Sequence, residues 1–232
     1  MTEPVSTGSQ PLVVPIRAGH VNAYLIRGTR PVIVDTGFPG SAPVILSALK
    51  KEGMQPWNVA LIIITHAHVN HYGSAAALAG ATGAPVLVHA REAGYLREGS
   101  NAPALPAAFL GKLLKLAIGN HAPAPDLAVN PVILVDAPYS LEPFGVKGRI
   151  VPTPGHTFGS LSVVLSSGES IVGDLITGMA PATKPRLPIF AEDPADARES
   201  IRTILEATPS IIYTGHGGPF TREQVQKLTG EP

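Results

Sequence analysis

The chain has 232 residues, 44% of them apolar, which is enough for one well-packed domain or two small ones. Its 17 lysines and arginines balance its 17 aspartates and glutamates, so the formal net charge is zero and we expect no nucleic-acid partner. The absence of cysteine excludes disulfides and thiolate ligands, so a bound metal ion would have only nitrogen and oxygen ligands.

Two further features bear on the location of the protein. No apolar run approaches the ~20 residues of a membrane span. The residues after Met1 lack the basic start and apolar stretch of a secretory signal. If Met1 is the native start, these features predict a cytoplasmic protein with no membrane span.

The first half of the chain alternates short apolar segments with helical patterns. Pro15 predicts an edge position for the first strand, because proline cannot donate a ladder hydrogen bond. Ser41 is predicted to cap a helix that has Pro43 in its first turn. The run 59–64 is apolar throughout, which predicts a strand buried on both faces of a layered fold. The predicted strands are 12–16, 23–26, 32–34, 59–64 and 86–89, and the predicted helices follow Ser41 or cover about 73–81 and 91–97.

The second half is mostly β in pattern. Ser166-Ser167-Gly168 predicts a hairpin turn, and Asp193 with Pro194 predicts the start of a helix. Because strands and helices interleave with no linker, we predict a single α/β domain over residues 1–232. The predicted strands here are 132–135, 149–151, 161–165, 171–173 and 210–213, with a closing helix over 221–228.

A histidine-rich segment follows the predicted buried strand. His66, His68 and His71 fall within six positions, and imidazole is the commonest side-chain ligand for a metal such as zinc. On a helix, His66 and His68 would point about 200° apart, so we expect a loop that lets them converge. Three imidazoles on one tight loop are hard to explain by packing, and they predict a metal site.

Three later residues also follow predicted strands and lie beside glycines. His156 follows Gly155, Asp174 ends the segment 171–174, and His216 follows Gly215. Strand ends are common positions for functional side chains. Each residue alone has a simpler interpretation as a loop or turn residue, and the prediction of a metal site depends on the whole set. The remaining histidines are expected to be surface residues without a role; they are His20, His89 and His121.

This set of residues resembles the metallo-β-lactamase superfamily. The family pattern Thr-His-x-His-x-Asp-His, followed by Gly-His, Gly-Asp and Gly-His, is matched except at one position, and an early Asp-Thr-Gly is present at 35–37. The resemblance implies a four-layer αβ/βα sandwich with metal ions at one edge of two sheets. It is specific for the superfamily and poorly specific for the substrate.

The resemblance also implies roles for individual residues. His66, His68 and His156 would form a first metal site, and Asn70, His71 and His216 a second. Asp174 would bridge the two sites, and Asp35 would orient the histidine loop, although a simple turn aspartate is an equal interpretation of Asp35. The implied cofactor is zinc, as one or two ions, with iron or manganese as alternatives.

Asn70 stands where the family normally has aspartate. A carboxamide is neutral, is a weaker ligand and cannot accept a proton at neutral pH. The catalytic roles implied for Asn70 and Asp174 are therefore unequal, because Asp174 is the only acidic ligand left. We expect a weakened second site, whether the substitution is natural, engineered, or the mark of a binding protein.

The expected activity is hydrolysis in which metal-bound hydroxide attacks an activated carbonyl of a thioester, lactone or β-lactam. The expected partner is a small molecule, with a homodimer as a further option. Residues 103–118 predict an amphipathic lid within a segment near 100–125, or equally a core-covering or dimer helix. Two alternatives stay open: a mononuclear iron enzyme resembling persulfide dioxygenases, with His66, His156 and Asp174 as ligands, and a non-catalytic metal-binding module.

Overall fold

The computed structural model describes residues 12–106, 124–178 and 184–229. The segment 107–123, which contains His121 and most of the predicted lid near 100–125, lies outside the described residues. Within the described ranges, no helix is long and apolar enough to cross a membrane.

The described strands form two six-stranded sheets. The first sheet has its strands in chain order, and β1 lies at its edge as Pro15 predicted. Its strands are β1 (Val13–Ala18), β2 (Val21–Ile26), β3 (Val32–Val34), β4 (Leu61–Ile63), β5 (Val86–His89) and β6 (Ile133–Val135). Strands β1 to β3 pair antiparallel, and β3 to β6 pair parallel.

The second sheet has the reverse order, from the last strand to the seventh. Its strands are β7 (Tyr139–Ser140), β8 (Gly148–Pro152), β9 (Leu161–Leu165), β10 (Glu169–Ile171), β11 (Ile211–Tyr213) and β12 (Phe220–Thr221). Only β10 and β11 pair parallel, and the β9–β10 hairpin turns at the predicted Ser166-Ser167-Gly168. The short strands β7 and β12 were not predicted, because two residues are too few for a pattern.

Helices cover the outer face of each sheet. The described helices are α1 (Ala42–Lys51), α2 (Val69–Tyr72), α3 (Ala75–Thr82), α4 (Ala93–Glu98), α5 (Pro194–Glu206) and α6 (Arg222–Gln226). Asp193 caps α5 as predicted, by accepting hydrogen bonds from the backbone N–H groups of Ala195 and Asp196. Ser41 precedes α1, but its side chain makes no capping hydrogen bond; its backbone N–H donates to the Ser74 hydroxyl instead.

The burial pattern shows the four layers. In β4, Ile62 packs in the cluster that includes helix α1, whereas Leu61 and Ile63 pack in the cluster shared by the two sheets. A third cluster joins the second sheet to α5 and α6. Alternate residues of a strand face opposite sides of a sheet, so a strand buried on both faces must be apolar throughout. The apolar run 59–64 satisfies this condition, and the predicted four-layer αβ/βα sandwich is confirmed.

Candidate metal centre

The sequence-predicted site residues converge at one end of the two sheets. His66 and His68 lie in the loop after β4, and His71 lies in α2. His156 follows β8, and His216 follows β11. The first three therefore extend from the first sheet, and the others from the second.

Asp174 reaches the site from a position that differs from the predicted one. The preceding strand β10 ends at Ile171, and Asp174 lies in a single 3-10 turn, Gly173–Leu175. Gly173 has φ of 52°, a left-handed conformation that interrupts an extended chain and that glycine adopts without strain. The carboxylate is consequently directed across the end of the sheet.

Two clusters of side chains that could hold a metal ion share His66. One contains His66, His68 and His156, and the other contains His66, His71 and Asp174; in each, the ligating atoms lie within 4.8 Å of one another. The ring centroids of His66 and His68 are 4.7 Å apart, and those of His66 and His156 are also 4.7 Å apart. The predicted first set of histidines is thus brought together.

Asp174 lies between the histidines of both predicted sites. Its Oδ1 is 3.4 Å from His71 Nε2, and its Oδ2 is 3.4 Å from His216 Nε2 and 3.8 Å from His156 Nε2. Asn70 joins the same group through its amide, because Asn70 Nδ2 is 3.3 Å from His216 Nε2. All seven sequence-predicted site residues therefore lie at this one place.

Four of the imidazole rings make a polar contact through Nδ1, on the side of the ring that faces away from the centre. His66 Nδ1 contacts the Thr65 hydroxyl at 3.0 Å, and His71 Nδ1 contacts Asp35 Oδ2 at 2.8 Å. The other two face backbone carbonyl oxygens: His156 Nδ1 lies 2.8 Å from that of Phe190, and His216 Nδ1 lies 2.9 Å from that of His20. These contacts direct each Nε2 toward the centre, as expected for histidine ligands. His68 is the exception, because its Nδ1 faces inward, 3.0 Å from His156 Nε2.

Asp35 fixes the histidine loop to the first sheet. Its Oδ1 accepts the Thr65 backbone N–H at 2.8 Å, and its Oδ2 accepts the Thr65 hydroxyl at 2.8 Å as well as His71 Nδ1–H. Asp35 is 1% exposed and has φ of 58°. The contact to His71 goes beyond what a simple turn aspartate requires.

Burial and proximity perturb the titration of the cluster. Burial lowers the pKa of His68 to about 3, and burial together with neighbouring histidines lowers the pKa of His66 well below its usual range. Burial also opposes the charged form of His71, but Asp174 and Asp35 outweigh it and raise its pKa to about 10. Burial would raise the pKa of Asp174, yet His216 and His71 hold it well below its ordinary value.

The chemistry of the centre fits a divalent cation. His66 Nε2, His71 Nε2 and Asp174 Oδ1 are buried and make no hydrogen bond among the described residues, although the last two lie 3.4 Å apart as an ion pair. Burying polar atoms without a partner is costly, and native structures rarely leave them so. A cation bound by nitrogen and oxygen would satisfy all three atoms at once, and the nearby carboxylate would offset its charge.

The backbone at Gly215 lies very close to the side chains of Asp174 and His71. A Cβ added to Gly215 would lie 2.3 Å from Asp174 Oδ1 and 2.5 Å from His71 Cε1. Glycine is therefore required beside His216 if Asp174 and His71 are to keep their positions.

The expectation that the remaining histidines are surface residues holds for His20 and fails for His89. His20 is exposed as expected, and its backbone oxygen, not its ring, reaches the centre. The expectation that His89 is a surface residue is wrong: it is 6% exposed, and its Nδ1 accepts the Arg91 N–H. Sequence reasoning also missed Asn22, whose amide donates to the backbone oxygens of Thr214 and Gly217 on either side of His216. A polar residue within an apolar strand was the available indication.

A family model described as the metallo-beta-lactamase superfamily matches residues 16–216 of the chain. The chain belongs to the metallo-β-lactamase superfamily. This superfamily member is 28% identical over 203 residues to "Probable metallo-hydrolase YflN" of Bacillus subtilis, covering 82% of this chain and 76% of that protein. It is 26% identical over 200 residues to "Probable metallo-hydrolase MJ0888" of Methanocaldococcus jannaschii, covering 84% and 87% of the two chains.

Solved structures of other superfamily members share the fold. The metallo-β-lactamase family protein TTHA1429 from Thermus thermophilus superposes with a TM-score of 0.66 at 24% identity, covering 94% of this chain and 77% of that one. The BLEG-1 B3 metallo-β-lactamase gives a TM-score of 0.67 at 24% identity, covering 94% and 97%. At this identity, the likeness supports the four-layer architecture and says nothing about the substrate.

Proposed function

We propose that this superfamily member is a metal-dependent hydrolase that acts on an activated carbonyl in a small molecule. The observation that carries the proposal is the convergence of five imidazoles and one carboxylate at the end of the two sheets, where several of their buried nitrogen and oxygen atoms make no hydrogen bond among the described residues. The names of its relatives as metallo-hydrolases support the reaction class.

We assign a first metal site to His66, His68 and His156, and a second to Asn70, His71 and His216. Asp174 contacts the histidines of both sets, which supports a bridging position. Zinc is the proposed metal, because the donors are imidazole nitrogens with one carboxylate, and iron and manganese remain alternatives.

A divalent metal ion bound there would supply a hydroxide nucleophile near neutral pH and would polarise the carbonyl. The protein's own contribution is to hold the ligands in place. Thr65, Asp35 and two backbone oxygens contact the Nδ1 atoms of four imidazole rings and fix the orientation of those rings. We propose a thioester, a lactone or a β-lactam as the substrate, because each has an activated carbonyl that such a nucleophile can attack.

Asn70 is proposed to weaken the second site. Its Nδ2 faces His216 Nε2, and only rotation of the amide would bring the carboxamide oxygen to the same place. Even then the oxygen is neutral, so the second site has Asp174 as its only acidic ligand. Asp174 is likewise the one carboxylate within the proposed ligand set that can accept a proton.

The test compares the protein with its Asn70→Asp variant. Each is purified, its metal content is measured, and both are assayed with thioester, lactone and β-lactam substrates. We expect the variant to bind more metal at the second site and to hydrolyse at least one substrate class faster. If neither protein binds metal, or neither hydrolyses any of the three classes, the proposed function is wrong.

One observation favours a second candidate. His66, His71 and Asp174 form a two-histidine, one-carboxylate set, which is the ligand type of mononuclear non-haem iron enzymes. The sequence-based alternative used His156 in place of His71. Elemental analysis of protein purified without added metal separates the candidates, since about one iron per chain favours the oxygenase and zinc favours the hydrolase.

A further inference from the structure

Glu92 lies behind the histidine loop and reaches it through the backbone. It is 2% exposed and ends the 3-10 turn Ala90–Glu92 that follows β5. Its Oε2 accepts a hydrogen bond from the Ala67 N–H at 2.7 Å. Ala67 stands between His66 and His68 in the chain, so this bond fixes the short segment that carries both rings.

The same carboxylate contacts the loop that carries His156. Burial, the largest effect, raises the pKa of the Glu92 carboxyl, and the Thr157 side chain and the Gly159 backbone N–H lie near enough to oppose that rise. A Cβ added to Gly159 would lie 2.4 Å from Glu92 Cγ and 2.6 Å from its Oε1, so the loop backbone packs directly against the carboxylate. Glu92 therefore joins two loops that are far apart in sequence.

These two loops supply all three histidines of the proposed first metal site. His66 and His68 come from the loop after β4, and His156 comes from the loop after β8. The distance between the loops must match the size of a metal ion to within a fraction of an ångström, because ligand distances vary little. A buried carboxylate that is hydrogen-bonded to the first loop and packed against the backbone of the second can set that distance.

We propose that Glu92 is a positioning residue that sets the spacing of His66 and His68 relative to His156, and thereby the metal affinity of the first site. The inference rests on the proposed function, since it concerns the same centre. Glu92 touches none of the proposed ligand side chains in the contacts described above; it acts through the backbone of Ala67 and through Thr157 and Gly159.

The experiment uses Co²⁺ and Zn²⁺ with the full-length chain. Glu92→Gln keeps the size of the side chain but places an amide N–H₂ against one of the N–H donors. Gly159→Ala displaces the carboxylate from the opposite side without changing its charge. Glu98→Gln, an exposed position on the adjacent helix α4, is the matched control. Affinity is measured by competition with a chelator, the ligand field by the visible absorption of bound Co²⁺, and folding by thermal unfolding with and without metal.

We expect Glu92→Gln and Gly159→Ala to weaken metal binding by about 10–100-fold and to alter the Co²⁺ spectrum. The rise in unfolding temperature on adding metal should shrink in both variants, and Glu98→Gln should behave as the wild type. If Glu92→Gln loses the same stability with and without metal and keeps the wild-type affinity and spectrum, Glu92 is only structural and the inference is wrong. If the wild-type chain binds neither metal, the proposed function fails and this inference fails with it.

Discussion

Replacing Asp35 with asparagine is the sharpest test of how the histidine loop is held. The carboxylate accepts three hydrogen bonds, from the Thr65 N–H, the Thr65 hydroxyl and His71 Nδ1–H, each at 2.8 Å. In Asp35→Asn the amide oxygen can replace only one carboxylate oxygen, so the amide N–H₂ must face at least one donor. The variant therefore loses at least one charge-assisted hydrogen bond and leaves a buried donor unpaired.

The expected loss in the free energy of unfolding of Asp35→Asn follows from these contacts. Hydrogen bonds to charged groups contribute about 1.5–3 kcal/mol each, so Asp35→Asn should lower the free energy of unfolding by about 2–3 kcal/mol. In a chain of this size that corresponds to a fall of roughly 4–12 °C in unfolding temperature. The backbone should not add to the loss, because asparagine tolerates the left-handed φ of 58° found at this position. Asp35→Ala should cost at least about 1 kcal/mol more, since alanine does not tolerate this φ and cannot accept any of the three hydrogen bonds.

Urea unfolding of the metal-free protein measures the loss of stability. Chelator competition measures metal affinity, which should fall about 10–100-fold because His71 loses its hydrogen bond to the Asp35 carboxylate. Asp136→Asn, at an exposed aspartate, is the control and should change neither quantity. Should Asp35→Asn unfold like the wild type and bind metal equally well, Asp35 would be a simple turn residue and the argument from its three contacts would be refuted.

Two further predictions concern the centre itself. The free energy of unfolding of the metal-free protein should be largest near pH 6.5. Below pH 6.5 it should fall toward pH 3, because the pKa of His68 is lowered to about 3 and the unfolded chain binds the proton more readily. Above pH 6.5 it should fall toward pH 10, because the pKa of His71 is raised to about 10 and the proton that stabilises the folded state is lost. Urea unfolding at pH 5, 6.5 and 8.5 checks this, and a steady trend through all three values would contradict it. Gly215→Ala should reduce metal affinity at least about tenfold, because the added Cβ displaces Asp174 and His71. Gly80→Ala should instead stabilise the protein by about 0.5–1 kcal/mol, because Gly80 lies on the exposed side of α3 and nothing is within 4 Å of its added Cβ. Metal titration and thermal unfolding of the two glycine variants test this pair, and equal metal affinity in both would refute the steric reasoning.

The fold could be predicted where the local pattern and the tertiary packing agree. The run 59–64 is apolar throughout because β4 is buried between a helical layer and the second sheet, and its composition alone indicated this. Strands 32–34, 86–89 and 161–165 were predicted with the observed bounds. The predicted strand 171–173 is instead Glu169–Ile171, because Gly173 has a positive φ and belongs to the turn that directs Asp174 into the site.

The convergence of the candidate ligands could be predicted from the sequence, but the residues that support them could not. Histidines spaced along loops carry a distinct chemical pattern, so their convergence could be expected from the sequence. Glu92 and Asn22 act by contacts over large sequence separations, to Ala67 and Thr157 in one case and to Thr214 and Gly217 in the other. The polar Asn22 within an apolar strand was an indication that it has a role, but the partners of Asn22 and Glu92 are shown only by the three-dimensional arrangement.

The division of the ligands between the two sheets has a consequence for how the molecule would come apart. Three histidines belong to the amino-terminal half, and the other two with Asp174 belong to the carboxy-terminal half. An ion bound by residues of both halves would cross-link them, so the halves could not separate without releasing the ion. Loss of the ion and separation of the halves would then be a single cooperative event, and the rate at which the ion escapes would set an upper limit on how fast the folded chain can open.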